Sequence, residues 1–400
     1  MKFYIAVFLF VWTLTACSAN KKAPLTVVVS VPGPAGDSTS EPYLFTDPAG
    51  AVYMSWIQKN KSTATLWFSR YAEKRWFEPI AIASGDNWFI NWADYPVIAS
   101  DGKGNLLAHF LQKSDTAKFT YDVKILASND SGKTWSKPVS LHDDGIRAEH
   151  GFVSMAPYGD NFAVSWLDGR NAAAQEGHAG HHGQMTVRAA ILNKKGEKLS
   201  DTELDNRVCD CCQTRLTVAD SGPVIVYRDR SESEIRDMSV VRYVNNEWTA
   251  PQTLFPDNWK IEGCPVNGPA VDAVENAIGV AWFTMPGNTP AVRFMFSDDG
   301  GQSFGDPIRI DEGEPIGRVD VVLTDASTAV VCWMEGSDIK AVTVHKDGTR
   351  EPAVLIASSS AARSAGFPQM TKSGEDLLFA WTDDVSKKIK MATLSRSHKE

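Results

Sequence analysis

Four cysteines in two short segments are the residues of this chain best suited to chemistry. Three of them form the run Cys209-Asp-Cys211-Cys212, and Cys264 follows further along. Because thiolates are preferred ligands of copper(I) and zinc, one interpretation is a soft-metal site built from all four. The first alternative is two disulfides, with Cys264 joined to one member of the run, although cysteines this close together seldom reach good bridging geometry. Redox-active thiols are the second alternative.

A histidine-rich loop offers a further set of metal ligands. It contains His178, His181 and His182, with Met185 close behind, in a stretch rich in glycine. Imidazole and thioether groups suit copper, and imidazole also suits zinc. The loop is therefore predicted to bind copper or zinc. The alternative is a solvated loop that is merely rich in histidine.

Arginines near these segments indicate an anion-binding site. The guanidinium fork holds a carboxylate through two parallel hydrogen bonds. In this interpretation Asp168, Asp229 and Asp237 orient the arginines, and Asn267 supplies an amide contact. The alternative is a rigid loop, 228–237, in which arginines pair with their own acidic neighbours. The candidate ligand-binding residues are Asp168, Arg170, Arg207, Arg228, Asp229, Arg230, Arg236, Asp237, Asn267 and Arg318.

All these residues are embedded in a pattern that occurs seven times. Each copy is a short apolar run, a turn, and a strand that usually ends in tryptophan, as in Tyr53-Met-Ser-Trp56 and Gly279-Val-Ala-Trp282. The copies start roughly 50 to 60 residues apart, the length of a four-stranded propeller blade with longer loops. The pattern predicts an all-β fold, a single β-propeller domain of seven four-stranded blades over residues 25–396. Six blades are the alternative, if one copy is irregular.

The last copy lacks an outer strand. The alternating segment Leu25–Val31 is predicted to supply it, because this pairing joins the two ends of the chain and leaves no open sheet edge.

A propeller sorts its loops onto two faces. The loops between the second and third strands, and the links from one blade to the next, lie on the same face. The cysteine, histidine and arginine segments all fall in such loops of blades three to five. The topology therefore predicts one ligand-binding face there, for a metal ion such as copper or for an anionic small molecule.

Two turns carry a recognisable motif. Residues 128–135 and 297–304 both fit Ser-x-Asp-x-Gly-x-x-aromatic. This pattern resembles the Asp box, or BNR repeat, of the sialidase superfamily. The resemblance covers almost all of the chain after the N-terminal segment, and it implies a propeller in which these turns are structural. The Asp accepts hydrogen bonds within its own turn, and the Gly adopts a backbone conformation that other residues resist.

The same resemblance implies a glycosidase as an alternative function. Sialidases hold a sugar carboxylate with three arginines and use a carboxylic acid and a tyrosine nucleophile. Carried over to this chain, Asp94 is the candidate acid, and Tyr227 with Glu234 is the candidate pair. However, Glu41-Pro-Tyr-Leu replaces the Arg-Ile-Pro motif of the family, and no tyrosine follows Tyr243. The prediction is therefore a binding protein, with exo-α-sialidase or a related glycoside hydrolase as the alternative.

The N-terminus resembles a bacterial lipoprotein signal. The stretch from Phe3 to Ala16 is apolar and short for a membrane span, and Leu14-Thr-Ala-Cys17 is similar to a lipobox. Residues 1–17 are predicted to be the signal, with Cys17 lipidated, and residues 18–24 a tether. A plain cleaved signal peptide is the alternative. The expected location is the bacterial cell envelope, anchored to the outer membrane and facing the periplasm or cell surface.

The overall charge limits the partners. A net charge of −9 and an isoelectric point near 5.5 argue against nucleic acid, which requires a basic surface. The expected partners are the membrane, through the lipid anchor, and a metal or small-molecule ligand. A protein scaffold is a third class of function, and it predicts a large exposed apolar patch.

Overall fold

The computed structural model describes Met1, residues 23–172 and residues 184–397. Within these ranges nearly all regular structure is β-strand, and the single helical element is a 3₁₀ turn at Pro286–Asn288. No helix in the same ranges has the length and apolar character needed to cross a bilayer.

Seven antiparallel sheets succeed one another along the chain, and each sheet is one blade of a propeller. The first strand, β1 (Leu25–Val31), belongs to the last blade. Blades one to three consist of β2 (Thr39–Thr46), β3 (Val52–Asn60), β4 (Thr63–Ala72), β5 (Arg75–Trp76), β6 (Ile80–Gly85), β7 (Ile98–Ser100), β8 (Leu106–Lys113), β9 (Tyr121–Ser128), β10 (Val139–Ser140), β11 (His150–Tyr158), β12 (Asn161–Asp168), β13 (Thr186–Leu192) and β14 (Lys198–Asp205).

The remaining four blades repeat the same plan. In blades one and four the outer position is divided between two short strands, which both pair with the third strand. Blades four to seven consist of β15 (Arg215–Ala219), β16 (Gly222–Arg228), β17 (Met238–Val244), β18 (Glu247–Trp248), β19 (Gln252–Phe255), β20 (Ala270–Val274), β21 (Ala277–Thr284), β22 (Ala291–Ser297), β23 (Ile308–Arg309), β24 (Pro315–Asp325), β25 (Thr328–Glu335), β26 (Asp338–His345), β27 (Val354–Ser358), β28 (Gly366–Ser373), β29 (Asp376–Asp383) and β30 (Lys388–Arg396).

The ring closes as the sequence predicts. Strand β1 pairs antiparallel with β30, with Val28 opposite Leu394, and so becomes the outer strand of blade seven. The inner strands β2, β7, β11, β15, β20, β24 and β28 each contact the next, and β28 contacts β2. The prediction of seven blades is confirmed, and the alternative of six is wrong.

The repeated tryptophans form much of the core. Trp56, Trp166, Trp282 and Trp333 are all almost fully buried at the end of the second strand of their blades. These strands are covered on both faces because neighbouring blades stack against each other. The flat aromatic side chains fill the space between blades. This packing explains why an aromatic residue recurs at the same place in each copy of the repeat.

The two Asp-box turns are structural, as the resemblance implies. Ser128 Oγ donates to Asp130 at 2.8 Å, and the backbone N–H of Gly132 donates to Ser128 Oγ at 2.9 Å. Gly132 has a φ of +83°, and a Cβ added there would lie 2.2 Å from the ring of Phe68. Residues 297–304 make the equivalent contacts. These turns lie between the third and fourth strands, away from the loops that carry the cysteines.

Candidate functional site

Three loop segments meet on one face of blades four and five. They are the link 206–214 before β15, the loop 229–237 after β16 and the link 256–269 before β20. Three of the segments predicted to share a face are thus in direct contact. Backbone hydrogen bonds of 2.9 to 3.0 Å join Cys209 to Arg228, Arg236 to Trp259, and Ile261 to Glu234.

The four cysteines come together where these segments meet. Cys209 Sγ lies 3.4 Å from Cys212 Sγ and 3.8 Å from Cys211 Sγ. Cys264 joins from the other link, with its sulfur within 4.8 Å of Cys211 Sγ and of a carboxylate oxygen of Asp210. Cys209 and Cys212 are buried, Cys211 is half-buried and Cys264 is exposed. The cluster therefore runs from the interior to the surface.

The distances between the sulfur atoms distinguish the predicted disulfides from the predicted metal site. A disulfide needs sulfurs about 2.05 Å apart. The observed separations of 3.4 and 3.8 Å exceed that length, and all four cysteines are free thiols. The structure gives no support to the predicted disulfides. Sulfurs about 2.3 Å from a tetrahedral metal ion lie about 3.8 Å from one another, which is close to the two separations observed among Cys209, Cys211 and Cys212.

One arginine sets the electrostatics of the cluster. Arg236 Nη1 lies 3.3 Å from Cys209 Sγ and 3.4 Å from Asp210, and its Nη2 donates to Glu234 at 2.9 Å. Burial opposes ionisation of Cys209, but hydrogen bonds from Cys211 and Cys212 and the charge of Arg236 outweigh it. The pKa of Cys209 is therefore well below its ordinary value. Cys209 is the thiol best prepared to act as a thiolate ligand.

The predicted histidine ligands cannot be placed. His178, His181 and His182 lie outside the described residues. Met185, which follows them, is buried, and its carbonyl accepts a hydrogen bond from the Val208 N–H at 2.9 Å. The end of the histidine loop is thereby joined to the segment that carries the cysteines.

Two of the candidate arginines form bidentate ion pairs. Arg170 donates to both carboxylate oxygens of Asp168, at 2.8 and 2.7 Å. Arg230 contacts Glu234 at 2.8 and 3.1 Å, and Arg207 lies 3.7 Å from the same carboxylate. These guanidinium groups already hold a carboxylate from the chain itself.

Two others are committed to the backbone. Arg228 is buried and donates to the carbonyls of Asn267, Arg236 and Phe283 at 2.7 to 3.1 Å. Arg318 is also buried and donates to carbonyls in the link before β28. Their role in this structure is to hold loops together.

The other candidate polar residues have similar roles. Asp168 does orient an arginine, and its bonds with Arg170 and Trp166 outweigh burial and lower its pKa to about 2. Asp229 accepts from the Arg230 N–H and from a serine hydroxyl, and Asp237 accepts from two backbone N–H groups. Asn267 accepts from the backbone N–H of residue 318 through its side-chain oxygen.

The glycosidase candidates occupy separate environments. Asp94 is buried and accepts from the Phe152 N–H, and burial raises its pKa to about 7. The Tyr227 hydroxyl donates to Asp205 at 2.8 Å. Glu234 is paired with two arginines, which lower its pKa. None of these contacts joins one candidate to another.

A cavity of about 960 Å³ adjoins the cysteine cluster. Cys211 and Cys264 form part of its wall, so a group bound at the cluster would face this space. Four aromatic residues also line it, as is common in ligand-binding cavities. Its other lining residues include Phe89, Trp92, Phe119, Arg147, Glu149, Phe152, Met185, Asp210, Arg230 and Arg363.

Glu149 gives the cavity a titratable group that the sequence did not reveal. Its Oε1 accepts from the Tyr121 hydroxyl at 2.7 Å. Burial, with the nearby charge of Asp210, raises its pKa to about 7. A carboxyl group with such a pKa can exchange protons near neutral pH. The sequence did contain one signal for Glu149. This residue lies in a link between blades, and such links were predicted to form the site.

The comparisons with known proteins agree with this fold. Residues 50–314 match the family described as BNR repeat-like domain, and the chain belongs to that family. The predicted sialidase-like propeller with BNR repeats is thereby confirmed. No curated protein matches the sequence.

Solved structures of similar shape include several carbohydrate-active enzymes. The polysaccharide lyase Uly1 aligns with a TM-score of 0.54 and 10% identity, over 96% of this chain and 94% of its own. An ulvan lyase of family PL25 aligns with a TM-score of 0.49 and 17% identity, over 80% of each chain. The NanB sialidase of Streptococcus pneumoniae aligns with a TM-score of 0.45 and 13% identity, over 93% of this chain and 70% of its own. At these identities the similarity is one of fold alone.

Proposed function

We propose that this protein binds a soft metal ion, copper(I) or zinc, through Cys209, Cys211, Cys212 and Cys264. The observation that carries the proposal is the convergence of thiols from two separate links. Cys209 Sγ lies 3.4 Å from Cys212 Sγ and 3.8 Å from Cys211 Sγ, and Cys264 Sγ lies within 4.8 Å of Cys211 Sγ. Unpaired thiols seldom gather in a buried cluster, because each added thiolate repels the others. A metal ion removes that repulsion and binds the thiolate form.

The charge around the cluster favours a cation. Arg236 and Arg228 provide positive charge near Cys209, whereas Asp210 adds a negative charge on the same side. Ionisation of all four cysteines therefore requires further positive charge, which a bound metal ion supplies. The thiolate ligands select soft ions such as copper(I) and borderline ions such as zinc.

The alternative of an anionic small molecule has less support. The arginines that would hold such a ligand already pair with Asp168, Glu234 or backbone carbonyls. Binding an external carboxylate would require breaking these internal bonds. The metal ion is therefore the ligand that we propose for this face.

Metal titration of the soluble chain without its first 17 residues tests the proposal. The protein is reduced, stripped of metal and then titrated with copper(I) or zinc. We expect native mass spectrometry to detect one tightly bound ion. Thiol titration should count four reactive thiols in the metal-free protein and fewer in the loaded form. Protein purified without reductant that still has no reactive thiol after its metal is removed, or reduced protein that binds neither ion, would contradict the proposal.

Glycoside hydrolysis in the adjoining cavity is the second candidate. It is favoured by Glu149, whose raised pKa of about 7 suits a general acid, and by the aromatic residues that line the same cavity. Hydrolysis of a fluorogenic sialoside or a related glycoside tests this function. Activity that is lost in Glu149→Gln and retained in Cys211→Ser would support hydrolysis independently of the metal.

We further propose that Cys17 is lipidated and anchors the protein in the bacterial outer membrane. The support is the lipobox-like run Leu14-Thr-Ala-Cys17 after a short apolar stretch. With Cys17→Ala, we expect the protein to move from the membrane fraction to the soluble fraction after cell lysis. Unchanged partition into membranes would refute the anchor.

A further inference from the structure

A second cavity lies on the propeller axis, on the face opposite the cysteine cluster. It has a volume of about 470 Å³, and its wall is formed by the inner strands of six blades, namely β2, β11, β15, β20, β24 and β28. It extends to the turns at Pro48 and Gly374, which join the first and second strands of their blades on the Asp-box face. It has no described lining residue in common with the cavity beside the cysteines. The two cavities are therefore separate sites.

One ring of side chains surrounds the axis inside this cavity. Its members occupy equivalent positions, because each pairs with the residue just before the repeated aromatic residue in the second strand of its blade. The members that line the cavity are Tyr43, Ser154, Arg215, Asp320 and Gln369. The ring thus combines one cation and one anion with three uncharged polar side chains.

Arg215 marks the inner end of the cavity. It begins β15 and lines both this cavity and a space of only about 10 Å³ on the side of the cysteine face. Tyr95, Arg318 and Phe367 also line that small space and leave no more room there. A ligand that enters from the Asp-box face therefore meets the guanidinium of Arg215 at the end of its path.

The guanidinium of Arg215 has few partners for its five N–H groups. Its Nη2 donates to Gln369 Oε1 at 3.3 Å, and its Nε is buried without a hydrogen-bond partner. The buried Arg228, by contrast, donates four hydrogen bonds to backbone carbonyls. The rings of Tyr43 and Tyr95 lie 5.9 and 5.5 Å from Arg215 Cζ and keep the group beside the axis. Because unpaired buried donors are costly, these N–H groups favour an acceptor in the cavity.

Asp320 is the acidic member of the ring, two blades beyond Arg215. Its Oδ1 accepts from the Val321 N–H at 3.0 Å, and its Oδ2 accepts from the Met370 N–H at 2.6 Å. Each carboxylate oxygen can accept more than one hydrogen bond. The residue is only half-buried and lines the cavity. Asp320 can therefore still bind a cationic group that enters from the Asp-box face.

Charged groups of both signs line the cavity as a whole. Arg215 and Lys372 are positive, whereas Asp47, Asp272 and Asp320 are negative. A simple anion would be attracted by Arg215 but repelled by the excess of carboxylates, and a simple cation would be repelled by the guanidinium. A molecule that has both a carboxylate and an ammonium group is attracted by both charged members of the ring.

We propose that the axial cavity binds a small zwitterion of the α-amino acid type, with its carboxylate on Arg215 and its ammonium group beside Asp320. The guanidinium fork can give a carboxylate two parallel hydrogen bonds. The cavity volume lies in the range of small-molecule sites. The site is on the other face from the cysteines and does not depend on the metal binding proposed for them.

The test uses the soluble chain without its first 17 residues, with the twenty common L-amino acids as probes. We expect at least one of them to raise the melting temperature and to bind in calorimetry with one molecule for each chain. The matching amine without the carboxylate and the matching N-acetyl derivative each lack one of the two charges. Both should bind at least about 10-fold more weakly.

Arg215→Gln removes the fork and its charge, and it should lower the affinity for the amino acid at least about 10-fold. Arg75→Gln, at an exposed arginine of blade one, is the matched control and should leave the affinity unchanged. If Arg215→Gln does not fold, Asp320→Asn provides the second test. It should weaken binding of the amino acid and leave binding of the N-acetyl derivative unchanged.

Two results would overturn the proposal. One is that none of the twenty amino acids binds the native chain. The other is that a bound amino acid keeps its full affinity in folded Arg215→Gln or Asp320→Asn protein, since its charged groups would then lie elsewhere.

Discussion

Replacing Cys211 with serine is expected to lower the affinity for copper(I) or zinc by at least about 100-fold. Cys211 connects the two halves of the cluster, because its sulfur lies near Cys209 in its own link and near Cys264 in the neighbouring link. Its loss removes one thiolate and separates the remaining ligands. Competition against a chromophoric chelator of known affinity measures the change.

Cys332→Ala is the matched control for this experiment. Cys332 is fully buried in β25, and burial raises its pKa well above the ordinary value. It belongs to blade six, away from the cluster, so its replacement should leave metal affinity unchanged. Equal affinities of wild type and Cys211→Ser would show that the metal is bound elsewhere and would remove the basis for the proposed function.

The fold could be predicted from the sequence because the signal is repeated. Seven copies of one pattern, each with a buried aromatic residue such as Trp166 or Tyr227, give seven independent indications of the same blade. The closing strand was predictable for a related reason. Blade seven lacked an outer strand, and Leu25–Val31 was an unpaired segment with the right alternation.

The meeting of the cysteines also followed from topology. Once the blades were counted, the links before β15 and β20 had to lie on one face of neighbouring blades. That Cys211 and Cys264 lie near each other could be predicted without information on side-chain packing. The atomic spacing that separates thiols from disulfides could not be derived in this way, because it depends on the backbone path within each link.

The partners of the arginines show where sequence reasoning reaches its limit. The spacing of Arg230 and Glu234 allows an ion pair and equally allows both groups to face a ligand. The pair forms because the N–H of Glu234 bonds back to Ser231 and closes the loop. The stacking of His142 on His150 could not be predicted for a similar reason, since nothing in the spacing of the two residues indicates it.

Glu149 is expected to make the stability of the protein fall as pH rises from about 4.5 to about 7. In the folded chain burial raises its pKa to about 7, whereas the unfolded chain has the ordinary value near 4.5. Between these values the folded state holds a proton that the unfolded state has released. Stability is therefore full below the lower value and is lost as pH approaches the higher one. A shift of this size corresponds to about 3 kcal/mol in the free energy of unfolding.

Glu149→Gln should remove the contribution of Glu149 to this pH dependence. Glutamine has the same shape and can still accept the Tyr121 hydrogen bond, but it cannot ionise. Chemical denaturation at several pH values between 4.5 and 7 measures the slope for each variant. Asp94 and Asp272, whose pKa values burial raises to about 7 and about 6, contribute to the slope that should remain, and adding Asp94→Asn should reduce it further. A slope that is the same in Glu149→Gln as in the wild type would mean that Glu149 is ionised in the folded protein, and a role as proton donor in the cavity would then be untenable.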